Sequence, residues 1–99
     1  MNDQWMSLVG LANRARKIVS GEEQVLREIR GNRAKLVLLS ADASENTMKK
    51  VTDKCKFYKV PYKIIGSRFI LGHSIGKEAR VTIAICDDGF AKKIAQVLE

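Results

Sequence analysis

Ser20-Gly21-Glu22-Glu23-Gln24-Val25-Leu26-Arg27-Glu28-Ile29-Arg30-Gly31-Asn32, then Ala34-Lys35-Leu36-Val37-Leu38-Leu39-Ser40, is the stretch that decides the fold of this 99-residue chain. In its first half Val25, Leu26 and Ile29 recur at helical spacing, with Arg27 and Arg30 turned outward. Ser20 followed three residues later by Glu23 is a capping-box pattern, so a helix over Glu22–Arg30 is expected, ended by Gly31-Asn32. The second half, Leu36-Val37-Leu38-Leu39, is apolar without a break. Such a run suits a strand covered on both faces, usually by helices on each side.

Working outward, the same two periods recur. Trp5, Leu8, Val9 and Ala12 give a helix from Gln4 to about Arg16, with Asn13, Arg14, Arg16 and Lys17 as a basic shoulder. Ile18-Val19-Ser20 suits a short strand. Ser44 is a candidate cap for a helix from Glu45 to about Lys59, whose apolar stripe is Met48, Val51, Cys55 and Tyr58. Pro61 stops it, because proline disfavours helical geometry in the residue before it. Tyr62–Ile65 reads as a strand, and Ser67 as the cap of a short helix through about Ile75, with Gly72 and Gly76 flanking its end. Val81–Cys86 alternates large with small residues and is the clearest strand. Phe90, Ile94, Val97 and Leu98 face the last helix inward. Strict alternation of helix and strand predicts an α/β fold, a single three-layer α-β-α sandwich around a four-stranded mixed sheet, spanning residues 1–99 as one domain.

Composition narrows the partners. Lys plus Arg number 18 and Asp plus Glu 11, a net charge of +7, which favours a polyanion. No apolar run approaches the ~20 residues of a membrane span, and Met1-Asn2-Asp3-Gln4 lacks the features of a secretory signal, so a cytoplasmic protein with no membrane partner is expected. Cys55 and Cys86 show no CxxC pairing and are read as two buried free thiols, and His73 is the single histidine, so no metal site is expected. Gly72-His73-Ser74-Ile75-Gly76-Lys77-Glu78 falls short of a phosphate-binding loop, with three residues between the glycines where four are needed. Asp42 with Glu45, and Asp87 with Asp88, sit where turns and helix N-termini want carboxylates. No constellation for an enzyme, a cofactor or a small-molecule substrate emerges.

The basic residues fall in two sections. Arg14, Arg16, Lys17, Arg27, Arg30, Arg33 and Lys35 bracket a turn that opens onto a helix N-terminus, where free N–H groups accept phosphate oxygens. Lys49, Lys50, Lys54, Lys56, Lys59 and Lys63, against Asp53 alone, read as a solvated or steering face.

In this order and spacing, the Ser20–Arg30 and Ala34–Ser40 stretches resemble the ribosomal protein L-seven-Ae/L-thirty-e superfamily of kink-turn RNA-binding proteins. Val60-Pro61-Tyr62, Leu71-Gly72 and Gly76-Lys77-Glu78-Ala79-Arg80-Val81 extend the likeness over nearly the whole chain, which is most similar to the small bacterial stand-alone members. The resemblance implies RNA binding without catalysis, with a kink-turn in ribosomal RNA or a messenger element as partner, and a monomer is the default expectation for a free-standing binding module. It places Ser20, Gly21, Glu22, Glu23, Gln24, Arg27 and Arg30 at the RNA. There Gln24 would bond a guanine edge, Arg27 a phosphate, and Gly21 would permit close approach. A second loop, Gly76, Lys77, Glu78, Ala79 and Arg80, would cover the flipped-out nucleotide.

Two positions depart from the family pattern. Glu23 stands where Asn or Lys is usual, either as the capping-box partner of Ser20 or as an RNA contact. Lys77-Glu78-Ala79 replaces an apolar loop, nearer to the L-thirty-e branch. A protein-interaction module on the same fold is the alternative, favoured by the acidic Glu22-Glu23 tip.

Overall fold

A computed structural model describes residues 3–99. The chain runs α1 (Gln4–Arg14), β1 (Ile18–Ser20), α2 (Glu22–Arg30), β2 (Leu36–Ser40), α3 (Glu45–Tyr58), β3 (Tyr62–Ile65), α4 (Arg68–His73), β4 (Thr82–Ile85) and α5 (Asp88–Val97). This is the expected alternation. Met1 and Asn2, the start of the segment read as lacking a secretory signal, lie outside the described residues.

The four strands form one mixed sheet in the order β1-β4-β2-β3. β4 is antiparallel to both β1 and β2, while β2 and β3 are parallel and joined through α3. Period-two alternation divides the core between the two faces. Leu36, Leu38, Ile83 and Ile85 pack with Trp5, Val9, Leu71, Ala91 and Ile94 of α1, α4 and α5. Val37, Leu39 and Ala84 pack with Val25, Leu26, Ile29, Val51 and Cys55 of α2 and α3. The unbroken run of β2 is therefore buried throughout, and the large-small alternation of β4 sends its large residues to one layer and Ala84 to the other.

Helix starts follow the expected caps at three places. Ser44 Oγ accepts from the Thr47 N–H, Ser67 Oγ from Ile70 and Asp87 Oδ2 from Phe90. Asp42 acts differently from the expected cap beside Glu45. It accepts from the Arg68 N–H and pairs with the Arg68 side chain, so its charge serves the start of α4 from across the fold.

The helix α2 ends at Arg30 as expected, whereas α1, α3 and α4 end one or two residues earlier than the apolar spacing predicts, and all four close in the same way. Arg16, Asn32, Lys59 and Gly76 all take positive φ, 61°, 59°, 59° and 72°. The following N–H then reaches five residues back, Lys17 to Ala12, Arg33 to Glu28, Val60 to Cys55 and Lys77 to Gly72. This left-handed closure satisfies the last carbonyls of each helix. At α2 the left-handed residue is Asn32, and Gly31 keeps φ −86°. At α3 the turn at Lys59 ends the helix before Pro61 can.

The two thiols also separate. Cys55 is buried as expected, but Cys86 is only half-buried, with its Sγ 3.8 Å from Glu28 Oε1. Cys86 lies just beyond β4, at the rim of the core where α2 presents a carboxylate.

Candidate functional site

The sheet order sets the site. With β4 between β1 and β2, the turn after β1 and the loop before β4 emerge at the same end of the sheet. Gly21 N–H donates to the Thr82 carbonyl, tying the α2 turn to the first residue of β4. Arg80 closes the arrangement from the loop side, donating from Nε to Ser20 Oγ at 3.3 Å. A cleft of about 500 Å³ results, lined by Gly21, Glu22, Ser44, Thr47, Arg68, Ala79, Arg80 and Val81. Of the two segments expected at the RNA, Gly21, Glu22, Ala79 and Arg80 thus line one cleft, with Ser20 held to Arg80 beside it, whereas Glu23, Gln24, Arg27, Arg30, Gly76, Lys77 and Glu78 are not among its lining residues.

On the α2 side the capping box is not formed. The N-cap is Gly21, not Ser20, because Ser20 is still in β1, in register with Ile83, and its hydroxyl is engaged by Arg80. Gly21 has φ 96° and ψ 145°, a conformation accessible essentially to glycine alone. Gln24 folds back over it, with Oε1 2.9 Å from where a Cβ at Gly21 would stand. Glu23 is exposed and makes no hydrogen bond or ion pair among the described residues. Arg27 and Arg30 are exposed on the same helix.

Glu22 is tied down. It accepts from Thr47 Oγ1 at 2.7 Å and from Lys50 Nζ at 3.0 Å, both on α3. The Thr47 hydroxyl, and then Lys50, hold its carboxyl below the usual range. The acidic tip is therefore half neutralised from α3, and among the described residues Glu23 remains its unpaired carboxylate, on the helix that carries Arg27 and Arg30. The sequence points to neither Thr47 nor Lys50, since they meet Glu22 only where α2 and α3 pack side by side.

On the loop side, Gly72 permits the closest approach in the region. A Cβ there would stand 2.6–2.8 Å from the backbone of Ala79, so the Gly76–Arg80 loop lies directly on α4. The Arg80 N–H donates to the Arg68 carbonyl, which also fixes the loop to that helix. Lys77 and Glu78 are exposed, and Ala79 and Arg80 half-buried. His73 is exposed on α4. Among the described residues no group of His, Cys, Asp and Glu side chains is arranged to hold a metal, and no helix is long and apolar enough to cross a membrane.

The chain matches known proteins over nearly its full length. The model of the "Ribosomal protein L7Ae/L30e/S12e/Gadd45 family" matches residues 3–95. The RNA-binding protein YlxQ of Bacillus subtilis (strain 168) is 65% identical over 96 residues, covering 97% of this chain and 96% of that protein. The RNA-binding protein YlxQ of Enterococcus faecium is 46% identical over 94 residues, covering 95% and 90%. Among solved structures, a Bacillus halodurans protein of unknown function superposes with a TM-score of 0.94 at 45% identity, over 98% of both chains. The Giardia lamblia 15.5kD RNA binding protein shares the fold, with a TM-score of 0.79 at 23% identity, over 99% of this chain and 88% of that one.

Proposed function

The chain belongs to the ribosomal protein L7Ae/L30e/S12e/Gadd45 family, and from that premise we propose that it is an RNA-binding protein recognising a kink-turn or a similarly bent structured RNA. One observation carries the reading. Gly21 and Glu22 line a single cleft with Ala79 and Arg80, and Arg80 bridges the two segments through Ser20. A helix N-terminus beside a cationic loop suits a sharply bent phosphate backbone, and exposed polar groups next to it suit splayed base edges.

In this reading Gln24 bonds a guanine edge across Gly21, while Arg27 and Arg30 hold phosphates. Glu23, free of any capping role, accepts from a base amine or imino group. Glu22 works indirectly, fixing the first turn of α2 against Thr47 and Lys50. Gly76, Lys77, Glu78, Ala79 and Arg80 cover the flipped-out nucleotide. The protein acts as one domain and as a monomer in the cytoplasm, on a ribosomal or messenger RNA element, by binding and without chemistry on its ligand.

Electrophoretic titration with a kink-turn RNA and a control with disrupted G·A pairs tests this. The kink-turn is expected to bind more tightly, with an affinity that falls steeply as salt rises. Arg27→Ala and Gln24→Ala are each expected to weaken it about tenfold or more. Equal affinity for the two RNAs would overturn kink-turn recognition and leave general RNA binding standing.

A further inference from the structure

The outer face of α3 carries a row that neither the family comparison nor the cleft accounts for. Thr47, Lys50, Lys54 and Phe57 follow one another at intervals of three, four and three, so they form one stripe along the helix. The stripe starts in the cleft, where Thr47 lines the wall and Lys50 pairs with Glu22. It ends at Phe57, which is 77% exposed. A lone exposed aromatic on a polar surface needs no explanation. This one closes a cationic row leading out of the binding cleft, and with Lys50, Asp53 and Lys54 it walls a shallow depression of about 350 Å³.

Part of the charge beside it is unpaired. Lys49 is offset by Asp53 at 2.8 Å and Lys50 by Glu22 at 3.0 Å. Among the described residues Lys54, Lys56 and Lys59 take part in no ion pair, so the far end of α3 is the more cationic. The aromatic ring nearest to Phe57 is that of Tyr58, edge-on with centroids 5.0 Å apart.

We infer that this stripe is a second RNA contact, along which a single strand leaving the cleft runs past Lys50 and Lys54 and stacks an unpaired base on Phe57. This rests on the RNA-binding reading of the cleft. From Thr47 to Phe57 the helix rises about 15 Å, the length of roughly four stacked nucleotides. Lysines spaced along a groove with an aromatic platform are what sequence-tolerant single-strand binding uses. A protein partner for Phe57 would gain nothing from the flanking lysines unless it were acidic, whereas an RNA strand uses both.

The test compares a minimal kink-turn RNA with a set of RNAs that each add a short oligouridine tail to one duplex end. For the wild-type chain one tail is expected to tighten binding. Phe57→Ala should abolish that gain, a loss of about 5- to 150-fold on the tailed RNA, and leave the minimal RNA unchanged. Phe57→Trp should retain it, and Lys54→Glu should reduce it. Phe57 is exposed and Lys54 half-buried, and thermal melting checks that each variant stays folded. If no tail tightens binding, or if Phe57→Ala keeps the gain, the second contact is refuted while the cleft reading stands. If tailed RNAs lose the gain in Phe57→Ala but kink-turn and G·A-disrupted RNAs bind equally, the second contact is supported and kink-turn recognition has failed.

Discussion

Replacing Gly72 with Ala sets two physical effects against each other. Gly72 lies within α4, and alanine is favoured over glycine in a helix by up to about 1 kcal/mol. By propensity alone the substitution stabilises the protein. Packing opposes it. The new Cβ would stand 2.6 Å from the Ala79 Cα, 2.7 Å from its N and 2.8 Å from its carbonyl carbon. These are backbone atoms, so no flexible side chain can swing away. Either α4 or the Gly76–Arg80 loop must move, and overpacking of this kind costs about 1–3 kcal/mol. With contacts this close we take the upper part of that range, so the net expectation is a loss of about 1–2 kcal/mol. A chain of this size then melts roughly 4–16 °C lower. Urea unfolding followed by far-UV circular dichroism should show a lower midpoint with an unchanged slope. Gly10→Ala is the internal control. Its Cβ meets only the Ser74 carbonyl oxygen at 3.6 Å, ordinary contact, so helix propensity should win there and raise stability by about 0.5–1 kcal/mol. A Gly72→Ala variant as stable as wild type would refute the close approach of the loop to α4.

Gly21→Ala should cost about 1–3 kcal/mol, because φ 96° with ψ 145° strains any L-residue and the Cβ would press on Gln24 Oε1; urea midpoints check it. Lys59→Gly should do the reverse, stabilising by about 0.5–1 kcal/mol, since a left-handed lysine at the end of α3 is strained where glycine is not. On the acid side, the Arg33 guanidinium holds the Glu28 carboxyl below its usual 4.5. A depressed carboxylate adds stability that is present above the unfolded pKa and is lost as pH falls through the folded one. Wild-type stability should therefore drop below about pH 4.5, and Glu28→Gln should flatten that drop when urea midpoints are taken across pH 3–6. Burial pushes both thiols up to about 11, with the Glu28 carboxylate adding to the effect at Cys86. Iodoacetamide at neutral pH should label neither Cys55 nor Cys86 appreciably in the folded chain and both after unfolding, as read by mass spectrometry.

The number, order and kind of elements were legible in the sequence because each is decided by contacts a few residues apart. The apolar run Leu36–Leu39 suits a strand covered twice, and the stripe of Met48, Val51, Cys55 and Tyr58 suits a helix with that face turned inward. Side-chain caps at Ser44, Ser67 and Asp87 are likewise local, and they form as the spacing predicts. The capping box at Ser20 is the instructive failure. Its spacing is right, but hydrogen bonding to β4 keeps Ser20 in the sheet and moves the cap to Gly21. No local pattern contains that information.

The same division runs through the site. The sequence by itself set the α/β alternation, the faces of the helices and, through family resemblance, the segments expected at the RNA. Only the tertiary structure decided that Gly21 and Glu22 share one cleft with Ala79 and Arg80, that Thr47 and Lys50 neutralise Glu22, and that Phe57 ends a row with Lys50 and Lys54 leading out of it. The reason is one of range. Periodicity, capping and turns are fixed by neighbours along the chain, whereas the order β1-β4-β2-β3 is fixed by which strands satisfy each other's backbone hydrogen bonds while burying both faces, and that pairing brings the segments of the cleft together.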